Sequence, residues 1–180
     1  MQEPRLSPIS FIVLGFLNWA GETTPYRLKQ LVAQSVGNFW TLQHAQLYTE
    51  PERLAQAGYL TEQRERGGRR RKLYAITDQG RQALEDWRAE PTDAILELRA
   101  PALLKLFFGA DPAVLAPVQI EAHRRKLAEY EQIRDTMPDD VPAGPRLALD
   151  AGISAERSQI AWWEAVMVSP DGHSSRAPAR

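Results

Sequence analysis

The sequence predicts a mostly α fold with one small β-hairpin: an N-terminal winged helix-turn-helix and a C-terminal helical dimerisation domain. Three observations lead there. Helix-start signals of a capping residue followed by Pro recur at Ser7-Pro8, Thr24-Pro25 and Asp111-Pro112. One passage, Gln46 to Gly80, runs as the end of a helix, a short strand, a basic turn and a second strand. The second half carries apolar residues at alternating steps of four and three, the spacing of a helix seam.

Ser7 caps the first helix, and Pro8 sits in its first turn, where no amide hydrogen is missed. Ile9, Ile12, Val13, Phe16 and Leu17 recur at helical spacing, and Gly21 ends the run. Thr24-Pro25 opens a second helix with Leu28, Leu31 and Val32 on one stripe, closed by Gly37. Thr41 is expected to cap a third helix reaching Ala57, with Gly58 as its stop. Leu47 and Leu54 face inward on it, while Gln43, His44, Gln46, Glu50 and Arg53 are expected to face outward. Pro51 removes a helical amide and clashes one turn back, at a cost of about 3 kcal/mol. A kink near Tyr48, or two short helices end to end, is therefore expected. Gly67-Gly68 turns the hairpin, and Thr77-Asp78 caps a fourth helix that buries Leu84 and Trp87.

Glu90-Pro91 marks a boundary, giving a DNA-binding domain at 1–90, a helical domain at 91–168 and a disordered tail at 169–180. Leu103 to Phe108 is an apolar block ended by Gly109, and Asp111-Pro112 starts a helix reaching about Met137. On it Ala116, Ile120, His123, Leu127, Tyr130 and Met137 follow the seam spacing, broken at Arg134. Pro138 to Pro145 reads as a loop. Leu149, Ile153, Ile160, Trp163 and Met167 repeat the stepping in a last helix, broken at Glu156. Ile120, Leu127, Tyr130, Ile153, Ile160, Trp163 and Met167 are the residues expected to face a partner copy.

Charge directs the functional reading. The formal net charge of −1 excludes a general polycation, yet Arg64 to Lys72 holds six basic residues and one acid, Glu65, a local charge of +5. A basic tip alone is also what a solvated surface turn looks like. One strand after an outward-polar helix, it reads as a phosphate contact made by Arg64, Arg66, Arg69, Arg70, Arg71 and Lys72. Base reading falls to the third helix. Gln and Arg carry the donor and acceptor pairs that match adenine and guanine edges, so Gln43, His44, Gln46 and Arg53 are the candidates, with Tyr48 donating to phosphate.

Trp40, Phe107, Phe108, Trp162 and Trp163, with Tyr130, form an aromatic set that reads as helix packing or as a pocket for a flat small molecule. No catalytic constellation, metal-ligand spacing or phosphate loop is present, so neither enzyme activity nor a cofactor is expected. The chain has no Cys, which fits a reducing cytoplasm, and no apolar run long enough to span a bilayer. A winged-helix module that binds protein and not DNA is the alternative.

Ile12-Val13-Leu14-Gly15-Phe16-Leu17, Thr24-Pro25-Tyr26-Arg27-Leu28, Phe39-Trp40, Gln46-Leu47-Tyr48, Arg53-Leu54, Gly58-Tyr59-Leu60 and Lys72 to Thr77, with Gly80, together resemble the N-terminal domain of PadR-type transcriptional regulators. Lys105 to Gly109 and Gly152 to Glu164 are similar to the helical C-terminal domain of the virulence-activator-like branch. The resemblance implies a homodimer with two winged helices on a palindromic operator, the C-terminal helices supplying most of the dimer contact. It also implies a repressor released by a phenolic or other aromatic compound. The chain departs from the family pattern at Thr49, where Pro is usual, and at Pro51, where an apolar residue is usual.

Overall fold

The computed structural model describes residues 5–64, 71–95 and 99–168. The chain divides into two compact units, Met1–Ala94 and Ile95–Arg180. No described helix is long and apolar enough to cross a membrane.

In the first unit, helix α1 (Pro8–Ala20) begins at Ser7 and ends at Gly21. Helix α2 (Pro25–Ala33) begins where the Thr24 hydroxyl accepts from the Arg27 amide at 3.2 Å. Helix α2 ends at Ala33, ahead of its expected stop at Gly37, which instead lies inside a short 3-10 turn, Val36–Asn38. Helix α3 (Gln46–Gln56) follows, then strands β1 (Leu60–Arg64) and β2 (Lys72–Ile76) and helix α4 (Asp78–Ala89). The strands pair antiparallel from Leu60↔Ile76 to Arg64↔Lys72. Thr23 adds a bridge to Tyr74 with reciprocal amide bonds of 2.9 and 3.0 Å, tying the α1–α2 link to the hairpin. The core gathers Val13, Leu14, Phe16 and Leu17 of α1 with Leu28, Val32, Leu47, Leu54, Tyr59, Leu60, Tyr74 and Leu84. Every element of the unit contributes to it, so the hairpin and α3 are held by one hydrophobic cluster.

Thr77 joins three of these elements. Its hydroxyl donates toward the carbonyls of Gly58 and Tyr59 at 2.8 and 3.0 Å and accepts from the Gly80 amide at 3.1 Å. The end of α3, the end of β2 and the start of α4 therefore meet at one side chain. Gly58 carries a φ of +85°, a left-handed turn that lets the chain leave α3 for β1.

Several expectations need correction. Helix α3 starts at Gln46, not Thr41, because Leu42 packs against the core and the backbone turns only at His44-Ala45. It is one helix and not two in tandem, although Pro51 lies inside it. Pro51 is fully buried and so fills the inward position that an apolar residue takes in the family pattern. Glu50 does not face outward: it is 8% exposed. Leu47, Glu50, Pro51 and Leu54 follow i, i+3, i+4, i+7, the spacing of one helix face. Leu84 is buried as expected, but Trp87 is 47% exposed, its ring stacked on Phe11 at 4.6 Å.

The second unit consists of α5 (Pro101–Phe107), α6 (Pro112–Asp135) and α7 (Ala143–Val168). Helix α7 begins inside the expected 138–145 loop. Helices α6 and α7 form an antiparallel-sequence hairpin joined by a short link and pack on one another. Ala102, Ala116, Ile120 and Trp163 make its core, with Ile160 against them. Most of the expected dimer seam is therefore covered within the chain; Met167, at its end, stays 39% exposed. Ile120, Tyr130, Ile153 and Trp163 are buried, and Leu127 and Ile160 are half-buried. Periodicity marked a helix–helix face correctly, but the partner helix belongs to the same molecule. The break at Glu156 is filled by a 2.6 Å contact with His123 Nδ1, and Arg157–Glu131 and Arg124–Glu164, each 2.7 Å, also cross from helix to helix.

Candidate nucleic-acid interface

Helix α3 has two different ends. At its start Gln43, His44, Gln46 and Thr49 are exposed and Tyr48 is 45% exposed. The amides of Gln46, Leu47 and Tyr48 bond back to the carbonyls of Gln43, His44 and Ala45 at 2.9, 3.2 and 3.1 Å. With those amides satisfied locally, this end offers side chains and not backbone donors to a ligand. Gln46 Oε1 accepts from the Gln43 amide at 3.4 Å, which leaves its side-chain NH2 to donate outward.

Toward the other end the polar side chains are engaged inside the protein. Arg53 Nε donates to Glu50 Oε2 at 2.9 Å, and Arg53 Nη2 donates to Glu50 Oε1 at 2.6 Å and to Ser10 Oγ at 3.1 Å. Ser10 Oγ donates to Glu50 Oε1 at 2.6 Å. Burial alone raises the Glu50 carboxyl, but the Arg53 and Ser10 donors and the Arg53 charge outweigh it and hold the group below its ordinary value. Arg53 responds in the opposite sense, held up chiefly by its bonds to Glu50. The expectation that Arg53 reaches outward to bases is thus corrected: its planar fork grips a buried carboxylate on the same helix.

The base of the hairpin shows a similar reassignment. Glu62 lies opposite Tyr74 in the ladder, and strand alternation puts Lys72 on the same face as Tyr74. Tyr74 donates its hydroxyl to Glu62 Oε2 at 3.0 Å. Lys72 Nζ lies 3.2 Å from Glu62 Oε2 and 3.2 Å from Glu52 Oε2 of α3. Burial and the Glu62 carboxylate push the Tyr74 hydroxyl up to about 12. Lys72, expected on phosphate, instead ties β2 to β1 and α3. Arg64 and Arg71 are exposed; Arg64 approaches Glu62 no nearer than 3.8 Å. Arg66, Arg69 and Arg70 lie outside the described residues. Sequence reading passed over Tyr26 and Arg27, both exposed in the first turn of α2, the helix that crosses the backbone in helix-turn-helix complexes.

The members of the aromatic set differ widely in exposure. Trp163 is 1% exposed in the core of the second unit, in edge contact with half-exposed Trp162 at 4.8 Å. It is a packing residue, which corrects its place among candidate ligand contacts. Phe107 and Phe108 are 82% and 77% exposed, and Trp40 belongs to the first unit. A groove of about 430 Å³ on the α6–α7 hairpin is lined by Arg134, Asp150, Ile153, Ser154, Arg157, Ser158 and Ala161, none of them from that set.

A helix-turn-helix followed by a β-hairpin, with the second helix opening polar side chains to solvent, defines a winged-helix DNA-binding protein. The family models agree for each half: the transcriptional regulator PadR-like family matches residues 13–86, and the virulence activator alpha C-terminal family matches residues 98–168. The chain belongs to the PadR-type transcriptional regulators. It is 25% identical over 178 residues to the negative transcriptional regulator PadR of Bacillus subtilis, covering 91% of this chain and 97% of that one. The fold matches B. subtilis PadR in complex with operator DNA at a TM-score of 0.78, with 24% identity and coverage of 89% and 98% of the two chains. It matches B. subtilis PadR in complex with p-coumaric acid at 0.72, with 22% identity and coverage of 91% and 97%.

Proposed function

We propose that this regulator is a homodimeric repressor of the cytoplasm that reads a palindromic operator and is released by an aromatic small molecule. Residues 1–90 would bind DNA and 91–168 would hold the dimer; the expected tail, 169–180, lies outside the described residues. The observation that carries the DNA reading is the exposed polar start of α3, Gln43, His44 and Gln46, on the same core as a hairpin whose turn sequence has a charge of +5. Gln side chains match adenine edges, and the basic turn would fix position on phosphate. The negative regulator from B. subtilis supports repression, and its p-coumaric acid complex supports an aromatic effector.

Dimerisation falls to other residues than the internal seam. Leu104 and Phe107 share one face of α5 by their spacing, with Phe108 at its C-cap, and Val114 and Val118 share one face of α6; all five are exposed. Exposed apolar side chains in this number fit contact with a second copy.

Selection of bound duplexes from a random pool tests the reading. A two-fold symmetric motif with half-sites about one helical turn apart is expected. A pool returned without enrichment would sink it. Quenching of Trp fluorescence by flat aromatic acids, with loss of duplex binding, tests release; silence across a broad panel removes the effector.

A further inference from the structure

Ser10 stands apart among the polar residues of the first unit. It lies on α1, far in sequence from α3, and has no exposed surface. A hydroxyl has one hydrogen to donate and two lone pairs to accept with. Ser10 is engaged on all sides: it donates to Glu50 at 2.6 Å, accepts from the Ser7 amide at 2.9 Å and from Arg53 Nη2 at 3.1 Å, and lies 3.2 Å from Ser7 Oγ. The Ser7 amide belongs to the N-cap of α1, so one oxygen completes the start of α1 and anchors α3.

The rest of the interface between these helices is apolar. Val13, Leu14 and Leu17 of α1 and Leu47 and Leu54 of α3 belong to one cluster. Apolar contacts are not directional and permit small slides and rotations of one helix on another. Hydrogen bonds at 2.6 to 3.1 Å to a buried carboxylate do not, because a half-satisfied buried charge is costly. Glu50 is about one helical turn from Gln46, and Gln43, just ahead of α3, is tied to Gln46 by the 2.9 Å bond from the Gln46 amide to its carbonyl, so a rotation of α3 at Glu50 moves both.

We propose that Ser10 is a positioning residue for DNA recognition, fixing the rotation of α3 through Glu50 and Arg53 and thereby setting which base edges Gln43 and Gln46 reach. This rests on the DNA-binding reading above. Arg53 acts through Glu50 and Ser10 and touches no base.

The test measures affinity for the selected operator and for an unrelated duplex, across salt, for Ser10→Ala, Arg53→Ala and the double variant. Each single change should lower the ratio of specific to non-specific affinity roughly ten-fold, the scale of one mis-set base contact. The double variant should lose no more than the worse single, since both act through one network. Non-specific affinity and the salt slope should not move. Additive losses with a shallower salt slope would make Arg53 a direct DNA contact and overturn the proposal, as would an unchanged ratio for Ser10→Ala. If Ser10→Ala fails to fold by near-ultraviolet circular dichroism, Arg53→Lys decides: it keeps the charge at a half-buried position but loses the fork, and retained discrimination overturns the proposal. Failure of the native protein to select any motif would instead strike the DNA reading itself.

Discussion

The two units solve the same problem of burial in different ways. In the first, four helices and a hairpin close around one cluster of twelve buried apolar residues, with exposed aromatics such as Trp19 and Phe39 scattered outside it. In the second, the core rests on Ala102, Ala116, Ile120 and Trp163, while Phe107 and Phe108 remain almost fully in solvent. The first closes its core with every one of its elements. The second, α5 with the α6–α7 hairpin, leaves Leu104, Phe107 and Phe108 exposed together, the surface that the proposed dimer would cover. The contrast teaches that seam spacing and surface demand are separate signals: one says that a face is covered, the other says what is still uncovered.

The comparison can be broken most forcefully at each core. Trp163→Ala should destabilise the second unit by about 3–5 kcal/mol, and Leu47→Ala the first by about 2–5 kcal/mol. Chemical denaturation read by circular dichroism checks both. DNA binding should fall with Leu47→Ala, and sedimentation as a dimer should fall with Trp163→Ala. The opposite assignment would reverse the roles of the units.

The uncovered surface comes next. Replacing Phe107 and Phe108 together with Ser removes side chains worth about 1.5–3 kcal/mol each when fully buried. Sedimentation velocity should show the dimer giving way to monomer with the helical content intact. A dimer indifferent to the change would place the interface elsewhere.

A smaller effect separates the units by pH. The folded Glu50 carboxyl titrates below its ordinary value of 4.5, because Arg53 and Ser10 outweigh the burial penalty. A depressed folded value means stability that is present above pH 4.5 and is lost as pH falls through the folded value. Thermal unfolding followed from neutral to acid pH should show this loss, and Glu50→Gln should flatten it. An acid limb unaltered by that change would show that the pair does not govern acid stability.

The smallest effect distinguishes the basic residues of the hairpin. Lys72→Ala should leave the salt slope of DNA binding unchanged, because Lys72 is committed to Glu52 and Glu62. Arg64→Ala should reduce the slope by about one if Arg64 meets phosphate. Equal slopes for the two variants would erase the distinction drawn between Lys72, held by two carboxylates, and the exposed Arg64.

Much of this was legible in the residues. The capping pairs at Ser7-Pro8, Thr24-Pro25 and Asp111-Pro112 are local devices, and each opens a helix where the sequence places one. Glu50 was misplaced although its spacing with Leu47, Pro51 and Leu54 assigns it to the inner face; a carboxylate there reads as solvent-facing unless its donors are known. Those donors are Arg53, one turn on, and Ser10, on another helix, and no local pattern links Ser10 to them. Lys72 was misread for the same reason, since its carboxylates come from α3 and the opposite strand. The seam of α6 and α7 was found by period, but period does not say which chain supplies the facing helix.

The most direct test of the central claim uses Gln43→Ala combined with Gln46→Ala on the selected operator. The account predicts that affinity for the operator falls toward that for unrelated DNA, by about 1–3 kcal/mol for each pairing lost, with the salt slope retained. Full preference for the operator after both side chains are gone would contradict it.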